Sequence, residues 1–305
     1  MTTKTQSFEL NENALYLGVD GGGTRCRARL CDASGFVLGE GLAGPANIRF
    51  GVEESLSAVL DAARQCLRGA GLTAEAFSRT SACVALAGAS EPQDLAAVRR
   101  FHYPFQRVML TTDAHAACAG AHGGEDGGVV IIGTGSVGWA VIGGEHHRVG
   151  GWGFPVSDEG SGAWLGSEAL RRVLWAFDGR IYFTPLLDDI FVQFKSNPHE
   201  IVRWMSRAKP RDFGKFAPFV TDHAAQHDPV AERLMRLAGG HIDALAARLV
   251  SFGTSRIALA GGMAAEIESW LSPDTKAALV PPMGDALGGA LLLARVPAEW
   301  PVHHA

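Results

Sequence analysis

Several features that often announce a function are missing from this sequence. No run of basic residues interleaves with aromatics, and the formal net charge is -5, so the chain lacks an electrostatic footprint for nucleic acid. The five cysteines (Cys26, Cys31, Cys66, Cys83, Cys118) are odd in number and form no CxxC pair. That argues against a disulfide framework and a zinc site, and they read as small buried hydrophobes. The longest uncharged stretch, Gly127 to Gly144, is interrupted by GTGS and further glycines, which suits two short strands rather than a membrane helix. The polar stretch Met1 to Asn13 has no apolar core of the kind a signal peptide needs, so a cytoplasmic chain without a membrane partner is expected. A GxxxxGK[ST] loop is absent as well, which excludes a Walker-type nucleotide site. Gly133, Gly135 and Gly138 satisfy GxGxxG, but the strand-like run Trp139 to Ile142 follows where a dinucleotide fold requires a helix.

What the sequence has in excess is glycine, 38 of 305 residues, in a chain long enough for two cores. The glycines are organised. The apolar run Ala14 to Val19 meets Asp20-Gly21-Gly22-Gly23-Thr24, after which Arg25 to Leu30 alternates charged and apolar residues toward a turn at Asp32 to Gly35. Val129 to Ile132 meets Gly133-Thr134-Gly135-Ser136, and Val137 to Ile142 runs on into a hairpin turn at Gly143-Gly144. One unit, strand then glycine turn then strand, thus occurs twice. Such turns lack the side chains that would block a phosphate and leave backbone N–H groups to bind it, with hydroxyls of Thr24, Thr134 or Ser136 as further donors. Glycine-rich hairpins also occur for conformational reasons alone, and it is the pair that points to phosphate.

Between the two units, Leu56, Val59, Leu60, Ala63 and Leu67 fall at helical spacing within Val52 to Leu67, and Ala82 to Ala87 reads as a buried strand. The strand Val108 to Leu110 leads to Thr111-Thr112-Asp113 before a run of small helix formers, so Asp113 stands at a strand-to-helix junction as either an N-cap or a functional acid. The segment Gly150 to Gly162 combines glycines, Trp152 and the adjacent acids Asp158 and Glu159 ahead of a helix over Ala163 to Phe177, the pattern of a ligand loop. Asp158 is assigned to the ligand and Glu159 to the helix N-terminus. Gly179 to Gly253 reads as largely helical, with Val230, Leu234, Leu237, Ile242, Leu245 and Leu249 on one core-facing side. His223 and His227 stand four apart without a third ligand and read as solvated surface. Arg256 to Ala260 is a strand entering Gly261-Gly262-Met263, where backbone can approach a flat ring. Gly284 to Leu291 reads as a helix whose small residues permit tight packing across a domain junction.

The series GVDGGGT, TTDAHAA, IGTGS, GGWGFPVSDEGSGAWLG, ALAGGM and GDALGGALLLA covers nearly the whole chain. It resembles the family of N-acetylglucosamine and bacterial glucosamine kinases, grouped with the BadF/BadG ATPases of the actin and sugar-kinase superfamily. The resemblance implies an α/β fold of two ribonuclease-H-like domains, with mixed sheets flanked by helices and a nucleotide cleft between them. The first domain is expected to be 1–115 with a C-terminal helix 286–305, the second 116–285 with a helical insertion over about 179–253. It implies transfer from ATP, with magnesium, to the 6-hydroxyl of N-acetylglucosamine, with glucosamine as the alternative acceptor. Asp113 would be the general base and Asp20 the magnesium-side acid. Gly21, Gly22, Gly23, Thr24, Gly133, Thr134, Gly135 and Ser136 would hold phosphates, and Gly261 and Gly262 the adenine end. Asn47, Asp113, Gly151, Trp152 and Asp158 would contact the sugar. Human-type members carry a histidine after that asparagine, whereas Ile48 follows here. The partner implied is a small amino sugar, with the oligomeric state, homodimer included, left open. A more distant alternative is an ATPase activator of a 2-hydroxyacyl-CoA dehydratase, which needs cysteines in the glycine loops, and a third is a non-catalytic sugar sensor.

Overall fold

The structure, a computed structural model, describes residues 13–88 and 92–296. The polar N-terminal stretch up to residue 12 and the far end of the expected C-terminal helix lie outside the described residues. The chain forms two compact units, one ending at Glu125 and taken up again at Met283, the other Asp126–Pro282. The expected boundary after residue 115 would have cut a helix that belongs wholly to the first unit.

In the first unit five strands, β1 (Leu15–Gly21), β2 (Cys26–Cys31), β3 (Val37–Ala43), β4 (Thr80–Leu86) and β5 (Arg107–Thr112), lie in the order β3-β2-β1-β4-β5. β1, β4 and β5 run parallel, while β2 and β3 are antiparallel additions. Among the described residues up to Glu125, α1 (Val52–Gly69), α2 (Pro92–Arg100) and α3 (Asp113–Ala121) belong to the same unit. In β4 the period of two separates the faces. Ala82, Val84 and Leu86 join the core that includes Leu56, Val59 and Ala63 of α1, whereas Cys83 and Ala85 join Ala116 and Ala119 of α3 on the opposite side.

In the second unit β6 (Gly127–Ile132), β7 (Ser136–Ile142), β8 (Glu145–Gly150) and β9 (Ile257–Ala260) take the order β8-β7-β6-β9. With β6 and β9 parallel and the remaining pairs antiparallel, this repeats the first four strands of the other sheet. The sequence echo is thus a repeated topology. Gly143 and Gly144 turn β7 into β8 with φ of 59° and 81°, as a two-residue hairpin requires. Its helices are α4 (Gly162–Phe177), α5 (Pro185–Val192), α6 (Pro198–Met205), α7 (Pro210–Gly214), α8 (Ala217–Ala225), α9 (Pro229–Ser251), α10 (Ala264–Glu268) and α11 (Pro273–Ala278). α9 buries Leu234, Ala238, Ile242 and Leu249, but Leu237, expected on that face, is 42% exposed. The true stripe advances by 3.6 residues per turn and runs through small residues, Ala231, Ala238, Gly239 and Ala246, that a search for large apolar residues passes over. His223 is not solvated surface: its ring lies against the Phe219 carbonyl (2.9 Å) and Asp189 of α5 (3.0 Å).

The last helix among the described residues is α12 (Ala286–Arg295), which ends there because Val296, extended, precedes Pro297. Its small residues pack closely on α3 and β1. Gly289 faces the Ala116 carbonyl and the Gly120 amide of α3, Gly120 faces the Asp285 carbonyl, and a Cβ on Gly18 of β1 would stand 2.8 Å from Leu291. Tight packing inside the first unit is what these glycines allow.

Candidate active site

Parallel strands present their carboxyl ends at one edge of a sheet, and in open α/β sheets that edge is where ligands bind. In the first unit Gly21 pairs with Leu86 and Leu86 with Thr112, so the ends of β1, β4 and β5 are aligned. Onto that edge fall Asp20, the GGGT turn, Asn47, which bridges Ala87, and Asp113.

The GGGT glycines divide their work. A Cβ on Gly21 would stand 2.6 Å from Leu86 Cδ2 and 3.0 Å from Ala46 Cβ. Packing against Leu86 and Ala46 therefore leaves room only for a glycine at this position. The Gly22 N–H donates to the Arg25 carbonyl (3.0 Å) and closes the turn, while its own carbonyl accepts from Ala46 (2.9 Å). Gly23 and Thr24 remain as the turn's outer residues, and Asn47 lies beside Gly23, with its Oδ1 accepting from Arg49 (3.0 Å).

Asp113 occupies the first turn of α3, but the cap is Thr112, whose Oγ1 accepts from the His115 N–H (3.1 Å). The Asp113 carboxylate accepts from Ala114 (2.9 Å). The N-cap reading of Asp113 is thereby displaced by one residue. Removing the cap, Thr112→Ala, is expected to cost about 1 kcal/mol of unfolding free energy, read from urea denaturation. An unchanged denaturation midpoint would show that the Thr112 bond contributes nothing.

Two functional candidates escaped the sequence reading. Arg27 reaches Asp20 through Nη2 (2.7 Å) and Nε (3.2 Å), and Asp285 through Nη1 (2.7 Å). Burial alone would raise the Asp285 carboxyl, but the Gly288 N–H that it caps and the Arg27 guanidinium hold it below the ordinary carboxylate range. A usable signal existed: in a hairpin turning over residues 22–25, positions 20 and 27 face each other.

The second unit assembles its own site from three separated motifs. The Gly133 N–H donates to the Gly135 carbonyl (2.9 Å), closing the GTGS turn as Gly22 closes the other. The first amides of α4 dock on this turn, Gly162 to the Gly133 carbonyl (2.9 Å) and Ala163 to the Thr134 carbonyl (3.2 Å). Ser136 is buried and its hydroxyl donates to the Glu159 carbonyl (2.7 Å). Its hydroxyl proton points to that carbonyl and ties the turn to the loop ahead of α4. A Cβ on Gly133 would meet nothing within 4 Å, whereas one on Gly135 would stand 2.6 Å from the Asp158 carboxylate. At the end of β6, Gly261 (φ 95°) lies against the Ile132 backbone and Met263 donates to the Ile132 carbonyl (2.9 Å), while Gly262 faces open space.

The loop from Gly150 to Ser161 is folded around the same turn. Asp158, at a φ of 66°, accepts from Phe154 (3.0 Å) with its carboxylate against Gly135. Gly151 (φ 70°) has no room for a side chain beside Val137. Trp152 is 72% exposed with the Arg148 guanidinium 4.5 Å over its ring, and Arg148 also donates to the Gly150 and Gly151 carbonyls (3.1 and 2.5 Å). The cap of α4 is Ser161, whose Oγ accepts from Trp164 (3.2 Å), two residues after Glu159.

Magnesium binds through one or two carboxylates and keeps its waters and the nucleotide's phosphate oxygens. The residues fit that need: Asp20 stands next to a glycine turn, and among the described residues no three His, Cys, Asp or Glu side chains form a ready-made cage. The outer face of Gly133 is open and leaves its turn accessible to a phosphate. The cysteines fit no cluster. All five are buried, and burial pushes the Cys26 and Cys66 thiols up to about 12.

Residues 17–294 match the model of the BadF/BadG/BcrA/BcrD ATPase family. The chain is 42% identical to a glucosamine kinase of Vibrio cholerae over 92% of this chain and 96% of that one. It is 29% identical to an N-acetylmuramic acid/N-acetylglucosamine kinase of Clostridium acetobutylicum over 73% of this chain and 74% of that one. A crystal structure from Chromobacterium violaceum, described as a candidate N-acetylglucosamine kinase, is 36% identical with a TM-score of 0.86, covering 92% of this chain and 99% of that one.

Proposed function

Because the chain belongs to the BadF/BadG/BcrA/BcrD ATPase family, we propose that it is an ATP-dependent kinase that phosphorylates the 6-hydroxyl of an amino sugar. The observation that carries this reading is Asp113. It is relieved of capping by Thr112 and stands on the strand edge that also bears Asp20, the GGGT turn and Asn47. Bound magnesium–ATP supplies the γ-phosphoryl group. Asp113 orients the sugar hydroxyl and takes its proton as the new O–P bond forms and the bond to the leaving ADP breaks. Backbone N–H groups of the two glycine turns, with the Thr24 and Thr134 hydroxyls, stabilise the charge on the phosphates. Asn47, Gly151, Trp152 and Asp158 hold the sugar, and the open position at Gly262 is assigned to the adenine end.

Of the two acceptors, we place glucosamine ahead of N-acetylglucosamine. Ile48 is 3% exposed and part of the first core, so the position after Asn47 offers an acetamido group no hydrogen-bond partner. The relative at 42% identity is a glucosamine kinase. A coupled ADP-release assay across glucosamine, N-acetylglucosamine, glucose and N-acetylmannosamine is expected to give the highest kcat/KM for glucosamine. Preference for the acetylated sugar would reverse the order, and ADP release indifferent to every sugar would remove the kinase. A brown preparation with cluster absorption would instead move the chain to the dehydratase activators.

A further inference from the structure

Asp20 is held by side chains to which neither the family match nor the motifs give a role. Asp20 and Arg27 are directly opposed across the antiparallel β1–β2 pair, which puts both side chains on one face of the sheet. The guanidinium directs Nη2 (2.7 Å) and Nε (3.2 Å) to the same oxygen, Oδ2 of Asp20, and sends Nη1 (2.7 Å) to Oδ2 of Asp285. A guanidinium is a planar fork, so two anchors on different elements fix its plane. Asp285 is itself fixed, since its Oδ1 accepts from Gly288 (3.0 Å) at the start of α12 and its carbonyl lies against Gly120 of α3. With Oδ2 of Asp20 taken by two donors, Oδ1 receives no hydrogen bond from a described residue.

We propose that Arg27 is a positioning residue for Asp20, locked in turn by Asp285, and that the clamp presents Asp20 Oδ1 to magnesium. The inference rests on the kinase reading, which makes Asp20 the magnesium-side acid. Two acids and one guanidinium sum to a single negative charge. That suits an ion that arrives with a polyphosphate rather than one captured alone.

Three variants test the clamp. Arg27→Met removes it, Arg27→Lys leaves a point charge unable to span both acids, and Asp285→Asn loses the ion pair while keeping the cap, because asparagine caps as well as aspartate. The readout is the magnesium concentration that gives half of the thermal stabilisation conferred by a non-hydrolysable ATP analogue. It is expected to rise about 10–100-fold in Arg27→Met and Asp285→Asn, the usual consequence of removing a partner behind a metal ligand. The sugar KM should not change, and kcat should recover at high magnesium. If Arg27→Met does not fold, the other two variants carry the test. A lower Tm at every magnesium concentration with an unshifted half-point would make the clamp purely structural and overturn the inference. If wild-type protein gained no stability from magnesium with the analogue, the kinase reading would fall and take this inference with it.

Discussion

Asp113→Asn is expected to fold normally and to lose turnover by about 10²-fold or more, the usual contribution of a positioned general base. The structure makes this substitution unusually clean. The helix keeps its cap, because the cap is Thr112, and the Ala114 N–H that Asp113 accepts can be accepted equally by the asparagine carbonyl. The negative charge lost from the first turn of α3 is worth about 0.3–1 kcal/mol against the helix dipole. What is lost chemically is the site that receives the proton. The transition state of phosphoryl transfer is loose and its proton moves late, so asparagine can still orient the hydroxyl but leaves its proton without a destination. The loss should therefore appear in kcat, while KM for sugar and for ATP moves little. Comparing kcat with the urea midpoint of the same preparation separates the two effects. A folded Asp113→Asn enzyme with near-normal turnover would remove Asp113 from the mechanism.

The sequence displayed the strand-turn-strand repeat because hairpin registers are local: the turn at 22–25 closes on Arg25 and the turn at 133–135 on Gly135, each within a few residues. The parallel order of β1, β4 and β5 was not readable in that way, since it depends on pairings across long connections; the family resemblance implied only mixed sheets flanked by helices. What stayed illegible was the division of labour among identical residues. Nothing local distinguishes Gly21, buried against Leu86, from Gly133, open on its outer face; the neighbours that differ are tens of residues away. Ser136 and Thr134 look equivalent in GTGS until the Glu159 carbonyl claims one of the two hydroxyls. Arg27 was passed over as one charge in an alternating strand, because its second partner is at position 285. Leu237 differs for the opposite reason: a large apolar residue suggests the buried face, whereas alanines and a glycine lead the stripe of α9.

Gly133→Val is expected to weaken ATP binding by about 10²–10⁴-fold while leaving the fold intact. A bulky residue at Gly135 would be the obvious probe of the GTGS turn, but its Cβ would strike the Asp158 carboxylate, so any loss there would mix a blocked phosphate with a displaced sugar loop. Gly133 avoids that ambiguity. Its φ is not in the left-handed region and an added Cβ meets nothing within 4 Å, so valine needs no rearrangement of the protein. The bonds that brace the turn are made by the Gly133 N–H and carbonyl, which valine retains. On the proposed reading, the isopropyl group instead fills the space through which phosphate oxygens reach the N–H groups of Thr134 and Gly135. Losing about two hydrogen bonds to a charged group at ~1.5–3 kcal/mol each gives the stated range. Titration calorimetry with a non-hydrolysable ATP analogue measures it directly, and sugar binding to the same variant serves as the control for the Asp158 loop. Should Gly133→Val bind the analogue as tightly as wild type, GTGS would be a turn that shapes β6 and β7 and nothing more, and the phosphate contacts of the second unit would have to be sought elsewhere.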